Sequence, residues 1–377
     1  RPGRVPLSLA QSRMWFLNRF EPDSAVNNIP VAIRLSGSLD VAALQAAVAD
    51  VVARHESLRT VYPEIDGVGF QVAVPVADAV PDLTPVRVAE GEVFDRVVGL
   101  VSAGFDVTAG VPVRAALFEV SPAEHVLVFV VHHIAADGFS MGPLTRDVMS
   151  AYLARTQGQA PGWVPLEVQY ADYSLWQREV LGSEDDPESL ISQQESYWVS
   201  VLAGLPDQLD LPADRPRPAA MSNHGASYSF SVDARVHARL SALARDSNSS
   251  VFMVVHAALA VLLARLSGTD DIAVGTPIAG RGEQALDDVI GMFVNTLVLR
   301  TRVVPGGSFA DLLAGVRESD LGAFGHADVP FERLVEVLNP ERSTSRHPLF
   351  QVALAFENLG RSSFELPGLT VGAVEFD

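Results

Sequence analysis

From Asp40 to His55 the apolar positions Leu44, Val48, Val51 and Val52 recur at three- and four-residue spacing, and Asp40 stands where a carboxylate caps a first turn. This predicts a helix with one buried face. Leu58 to Tyr62 is expected to return as a strand. Arg114 to Val120 and Glu124 to Val131 read as two further strands joined by the turn Ser121-Pro122-Ala123. Helical spacing resumes from Ser140 to Ala154, so the residues between, from His132 onward, form a strand-to-helix loop.

The second half carries the same kinds of element. A helix is expected over Ser189 to Ala203, then an exposed crossing over Leu205 to Ala220, which holds four prolines. Ala226 to Val232 alternates as a strand does, and helices follow at Asp233 to Arg245 and Ser250 to Leu266. Strand signals return at Asp271 to Val274, Leu297 to Val303 and Gln351 to Phe356, with short helices between. The stretch Ser250 to Leu266 is interrupted by His256 and Arg265 and falls short of a bilayer span, so it reads as a buried helix. No residue-level repeat relates the halves. The economical reading is an α/β fold with mixed sheets in two lobes, residues 1–178 and 179–377.

Length and composition agree with that and remove several classes of chemistry. A chain of 377 residues exceeds one ordinary core, and a hydrophobic fraction of 48% excludes disorder. All 27 basic residues are arginine, which excludes a Schiff-base or P-loop lysine and fits a high-GC genome such as an actinobacterial one. A formal charge of -19 argues against a nucleic-acid partner. Without cysteine there is no disulfide, thiolate nucleophile or cysteine-ligated metal, which suits a cytoplasmic protein. The opening RPGRVPLSLAQSRMWFL is no signal peptide, and no membrane association is expected.

Candidate chemistry concentrates in His132-His133-Ile134-Ala135-Ala136-Asp137-Gly138, at the end of the apolar run Val126 to Val131. Successive strand side chains point to opposite faces, so the two histidines cannot both enter one cleft. One works and the other packs. Asp137 can steer the loop and pair with an arginine from elsewhere, while Gly138 permits a positive φ or the close approach of a ligand. A strand-end histidine is commonly structural, and the pattern alone names no substrate. A metal site is disfavoured because adjacent strand residues diverge and no His-x3-His pair completes a ligand set. A serine-hydrolase reading lacks a G-x-S-x-G elbow.

These seven residues resemble the His-His-x-x-x-Asp-Gly signature of the condensation domains of nonribosomal peptide synthetases. The likeness extends along the chain. Ser8 to Leu17 (SLAQSRMWFL) is similar to the family's opening motif, Arg54 to Thr60 (RHESLRT) to its second and Tyr170 to Trp176 (YADYSLW) to its fourth. Ile290 to Thr296 (IGMFVNT), His326 to Glu332 (HADVPFE) and Ser345 to Leu349 (SRHPL) resemble the fifth, sixth and seventh. The resemblance implies two lobes of chloramphenicol-acetyltransferase type in a V-shaped pseudo-dimer within one monomer, with the histidine loop at their junction.

It implies amide formation, in which an acceptor α-amine attacks a donor thioester. Both substrates ride on 4'-phosphopantetheine arms supplied by donor and acceptor carrier proteins, beside a neighbouring adenylation domain; no cofactor is bound covalently by this chain. His133, Asp137 and Gly138 form the implied catalytic set, His133 as base or positioner and the Gly138 backbone N–H as an oxyanion donor. His132, Arg13, Arg54, Arg59, Arg281 and Asn295 are supporting candidates. Arg54 and Arg59 are expected in buried ion pairs, Arg281 as the partner of Asp137 across the lobe junction, and Asn295 as a tunnel contact. Trp15, Phe16, Tyr173 and Trp176 are expected in core and interface packing.

Phe139 stands where the family usually has Trp, and Asn27 where Tyr is common. Family members run on beyond Val374-Glu375-Phe376-Asp377, so the last strands and helix of the second lobe are expected to be absent. The opening motif and Phe293 to Thr296 look most like the subtype whose donor ends in an L-residue. Alternatives are an epimerization domain, a noncatalytic recruitment domain that binds an oxygenase, and a one-lobed trimeric acyltransferase. The intact His133, Asp137 and Gly138 weigh against recruitment, and motifs in both halves weigh against the trimer.

Overall fold

The run Val126 to Val131 forms the middle of a five-stranded sheet, buried on both faces, which is why its apolar residues are consecutive rather than alternating. A computed structural model of the chain describes residues 1–222, 225–341, 343–357 and 368–374. Its strands are β1 (Val5–Pro6), β2 (Asn28–Gly37), β3 (Thr60–Val61), β4 (Glu64–Ile65), β5 (Val68–Ala73), β6 (Val86–Arg87), β7 (Val113–Ser121), β8 (Glu124–His132), β9 (Asp271–Ile278), β10 (Asn295–Arg302) and β11 (Leu369–Ala373). The helices are α1 (Leu9–Phe20), α2 (Val41–Arg54), α3 (Val93–Val101), α4 (Met141–Thr156), α5 (Tyr170–Leu181), α6 (Leu190–Val201), α7 (Ala234–Asp246), α8 (Val251–Ser267), α9 (Phe309–Phe324) and α10 (Phe331–Leu338).

Contacts divide the described residues into two compact units. The first comprises Arg1–Val180, Arg281–Val294 and the described part of 360–377; the second comprises Leu181–Gly280 and the described part of 295–359. A single cut between residues 178 and 179 would assign Arg281–Val294 to the second unit, yet this stretch packs within the first. Arg281 therefore meets Asp137 inside one unit.

In the first unit the large sheet runs β11-β2-β8-β7-β6, antiparallel except for β6 beside β7. A small sheet gathers β1, β3 and β4 around β5. The Asp40 side chain accepts the Ala43 N–H at 2.9 Å and caps α2. Leu44, Val48, Val51 and Val52 of that helix are buried, each contributing about 1.5–3 kcal/mol of transfer free energy. α2 packs against α4, the helix that leaves the histidine loop. The strand expected at Leu58 to Tyr62 is replaced by a 3-10 turn over Glu56–Arg59 and the two-residue β3, because the Thr60 hydroxyl and the turn bonds satisfy the backbone locally.

In the second unit β9 and β10 pair along their whole length, and Gly275 makes a parallel bridge to Ala353. A β-carbon on Gly275 would lie 2.3 Å from the Phe350 ring, so the close approach requires glycine. Within Gln351–Phe356 only this bridge forms in place of the expected strand. The described residues of Ala226–Val232 form no strand: Tyr228 and Phe230 are exposed, and no ladder partner supports the alternation. α8 is one-sided rather than wholly buried, with Val254, Ala257 and Ala260 inward and Leu262 and Leu266 exposed. His256 of α8 bonds Asp320 of α9 at 3.2 Å and lies 3.4 Å from the Thr301 hydroxyl of β10, tying three elements together. No single helix among the described residues is long and apolar enough to cross a membrane. Glu375, Phe376 and Asp377 lie outside the described residues.

Candidate active site

Backbone pairing carries strand geometry through both histidines. The His132 N–H donates to Pro112 O and the His133 N–H to Asn27 O, both at 2.8 Å, so the side chains diverge to opposite faces. His132 turns inward and is 1% exposed. Its Nδ1 accepts the Ile134 N–H at 3.1 Å, and its ring stands edge-on to Phe105. Burial, with the nearby His133 and Arg114, lowers its pKa to about 4, so it is neutral at physiological pH.

His133 is half-buried, with Nδ1 3.0 Å from the Met292 sulfur. Burial lowers its pKa as well, against the opposing pull of Asp137. The carbonyl that follows, Ile134 O, is pinned by the Gln11 amide at 3.1 Å.

Asp137 is fully buried and caps the short turn Gly138–Ser140 that opens α4. One oxygen accepts the Phe293 and Val294 N–H groups at 2.9 and 3.0 Å. The other accepts the Ser140 N–H and hydroxyl, both at 2.8 Å, and faces Arg281 Nη2 at 3.4 Å. Both oxygens are thus taken up by donors other than His133, and the carboxylate shapes the loop. Arg281 also donates to the Leu286 and Val289 carbonyls at 2.6 Å and lies over the Phe293 ring.

Of the two uses expected of Gly138, a positive φ is not one that the backbone makes. An added β-carbon would meet nothing within 4 Å. Its smallness answers to no neighbour in the described protein.

The other candidates fall elsewhere. Arg54 bonds Asp147 at 2.9 Å, and His55 and Arg146 share that buried carboxylate. Burial pushes the Asp147 carboxyl up, but the hydrogen bonds and charges of His55 and Arg146 outweigh it and hold it below the usual range. Arg59 donates to the Val74 carbonyl at 2.8 Å and stands 3.8 Å from Glu56, a weak pair rather than a buried one. Arg13 is half-buried on α1. Asn295, expected at a tunnel wall, spends its amide inside the second unit: its nitrogen donates to Ala327 O and Val329 O, and its oxygen accepts the Thr296 and Phe331 N–H groups. Trp15 is buried and donates to Tyr62 O, whereas Phe16 and Trp176 are exposed rather than packed.

Sequence reasoning missed Gln11, Ser140, Tyr170 and Met292. The Ser140 hydroxyl lies 3.0 Å from Gly291 O, and Tyr170 donates to Met292 O at 2.6 Å. A β-carbon on Gly291 would lie 2.0 Å from the Tyr170 ring, so the ring can lie against this backbone only with glycine there. Three of these residues sit inside the quoted motifs and Ser140 two residues beyond one, which was the available signal.

The model of the family described as Condensation domain matches residues 2–371, and the chain belongs to that family. It is 50% identical over 384 residues to a dimodular nonribosomal peptide synthase of Bacillus subtilis (strain 168), with all of this chain and 16% of that protein covered. It is 53% identical over 369 residues to a probable non-canonical nonribosomal peptide synthetase, CymA, of Salinispora arenicola (strain CNS-205), covering 98% of this chain and 5% of the relative. The chain thus spans a small fraction of the length of these relatives. Among solved structures it is similar to the X-domain in its complex with OxyB from teicoplanin biosynthesis, with 39% identity, a TM-score of 0.89, and 100% and 82% of the two chains covered.

Proposed function

We propose that this condensation domain forms an amide between two carrier-bound acyl groups. The acceptor α-amine attacks the donor thioester carbonyl, a C–N bond forms, the C–S bond breaks, and the nitrogen's proton ends on the departing pantetheine thiol. The 4'-phosphopantetheine arms belong to donor and acceptor carriers, and the domain acts in the cytoplasm beside an adenylation domain.

The observation that carries this reading is His133: a half-buried imidazole kept neutral by burial, on a loop whose buried carboxylate is occupied with backbone, Ser140 hydroxyl and arginine donors. A neutral imidazole can take the proton released as the tetrahedral intermediate collapses. An α-amine titrates near 7.7–8.0, so much of it is already neutral, and positioning can supply as much rate as the roughly 10²–10⁴-fold of general-base help.

With both carriers loaded, intact-protein mass spectrometry should show transfer by the native chain and a loss of about 100-fold or more for His133→Ala. Near-native transfer by folded His133→Ala would remove His133 from the mechanism. Donors ending in L- or D-residues test the subtype, with L preferred. The likeness to the X-domain favours one second reading, noncatalytic recruitment of an oxygenase; binding of loaded carriers or an oxygenase without any transfer would establish it instead.

A further inference from the structure

We infer that Met292 is a positioning residue for His133: its thioether holds the imidazole as the Nδ1–H tautomer and leaves Nε2 as the nitrogen presented to the reacting amine. This rests on the reading of His133 as the working imidazole.

The Met292 sulfur lies 3.0 Å from His133 Nδ1. A thioether carries lone pairs and no proton to give, so the hydrogen in this contact belongs to Nδ1. Burial keeps the ring neutral, so it holds one proton and Nε2 keeps its lone pair. His133's own carbonyl also favours a proton on the ring, and both acceptors act in the same sense.

The neighbouring ring is arranged oppositely. His132 Nδ1 accepts the Ile134 N–H, which places the His132 proton on Nε2, a buried atom with no partner among the described residues. His133 Nε2 is not among the buried atoms lacking a partner. Two adjacent histidines thus adopt opposite tautomers, one committed to its own loop and one turned around by a sulfur from 159 residues away.

Met292 is itself held in place. Its carbonyl accepts the Tyr170 hydroxyl, the preceding Gly291 N–H donates to Ser140 Oγ at 3.2 Å, and the next two N–H groups bind Asp137. Its side chain is 6% exposed and packs in a cluster with Tyr170, Leu286, Val289 and Phe293. The sulfur is therefore delivered by a fixed backbone and has little freedom to swing away.

Nitrogen-15 NMR of the full chain reads the tautomer directly, the His133 signals being identified by their loss in His133→Ala. The native chain should show Nδ1–H. Met292→Leu should show a mixture of tautomers, and kcat for amide formation should fall roughly 3- to 10-fold with KM for both carriers unchanged, as expected for one weak hydrogen bond. Replacing all six methionines by norleucine should reproduce the shift, since length is kept without sulfur, and selenomethionine should restore the native pattern. Native tautomer and kcat in folded Met292→Leu would overturn the inference. A tautomer shift together with undiminished transfer by His133→Ala would support the Met292 contact and overturn the assignment of His133 as the working imidazole, so the two failures are distinct.

Discussion

Asp137→Asn isolates what holds the histidine loop to the segment that returns from Arg281 to Val294. The native carboxylate accepts four hydrogen bonds from Phe293, Val294 and Ser140 and faces Arg281 at 3.4 Å, with no exposure to solvent. Asparagine keeps one acceptor oxygen and turns the other into a donor. If the new NH2 faced Phe293 and Val294 it would oppose two N–H groups; facing Ser140 it opposes one N–H and can still meet the hydroxyl as acceptor. The second orientation wins. Its cost is one buried donor left unsatisfied, about 1–3 kcal/mol, plus a weakened charge partner for Arg281. That arginine keeps the carbonyls of Leu286 and Val289, the Ser140 hydroxyl and the Phe293 ring, so the loss stays below the 3–5 kcal/mol typical of stranding a buried ion.

The expected total is about 3 kcal/mol, felt locally. Because the chain has two units, a single global unfolding free energy is a poor gauge, and amide hydrogen exchange at Phe293 and Val294 is the better one. Protection there should fall about 100-fold in Asp137→Asn, since each 1.4 kcal/mol is a factor of ten. Amides of α7, in the other unit, should be unchanged. A change at Phe293 and Val294 of less than about 3-fold would refute the argument that the carboxylate carries this junction.

Three further outcomes follow from other sites. Gly138→Ala should fold with stability within about 1 kcal/mol of native, because its φ is ordinary and the space is open, yet amide transfer should drop at least about tenfold if reactants pass over that position; native transfer would show that they do not. His132 is neutral in the fold with a pKa of about 4 against 6.5 for a free histidine, so the unfolded chain takes up the proton first: stability should be full above about pH 6.5 and decline by up to about 3 kcal/mol as pH falls through about 4. The buried His133 and His55 add slope of the same sign, and urea midpoints across pH for His132→Asn should lose the His132 share; an unchanged slope would refute its assignment. Asp147→Asn should cost about 3 kcal/mol in urea denaturation of the first unit, because Arg54 and His55 lose their shared buried carboxylate; a cost under about 1 kcal/mol would show the cluster to be dispensable.

Periodicity exposed the elements whose burial is regular. α2 and β8 read correctly because one has a clean apolar stripe and the other an unbroken apolar run. β2 escaped notice although it sits beside β8, since Pro30 reads as a breaker. Here Pro30 stands opposite Val130 in the β2–β8 ladder but outside the stretch Ile33–Gly37 that pairs with β11, so the proline falls where β2 has a ladder on one side only. Ala226–Val232 shows the converse: alternation is a statement about side chains, and without a hydrogen-bonding neighbour it makes no strand. In the site, the histidine loop and Arg281 were legible from local motifs. Gln11, Tyr170 and Met292 were not, because each acts on residues more than a hundred positions away and their types carry no catalytic signature.

The division of labour within the loop follows from the same contacts. Ile134 to Gly138 offers few large side chains that could hold a conformation by packing, so its shape must come from hydrogen bonds. Those bonds reach outward: Ile134 O to Gln11, Asp137 to Phe293 and Val294, and Ser140 to Gly291. Each of these groups is spent on holding the loop: the Asp137 carboxylate is buried with both oxygens bonded, and His132 is buried and neutral. What the loop leaves uncommitted is His133, whose backbone is locked by Asn27 and whose Nδ1 is met by Met292. Under the proposed amide-forming function, a loop built this way would lower the cost of aligning a tethered amine, because the imidazole would already be oriented when the substrate arrives.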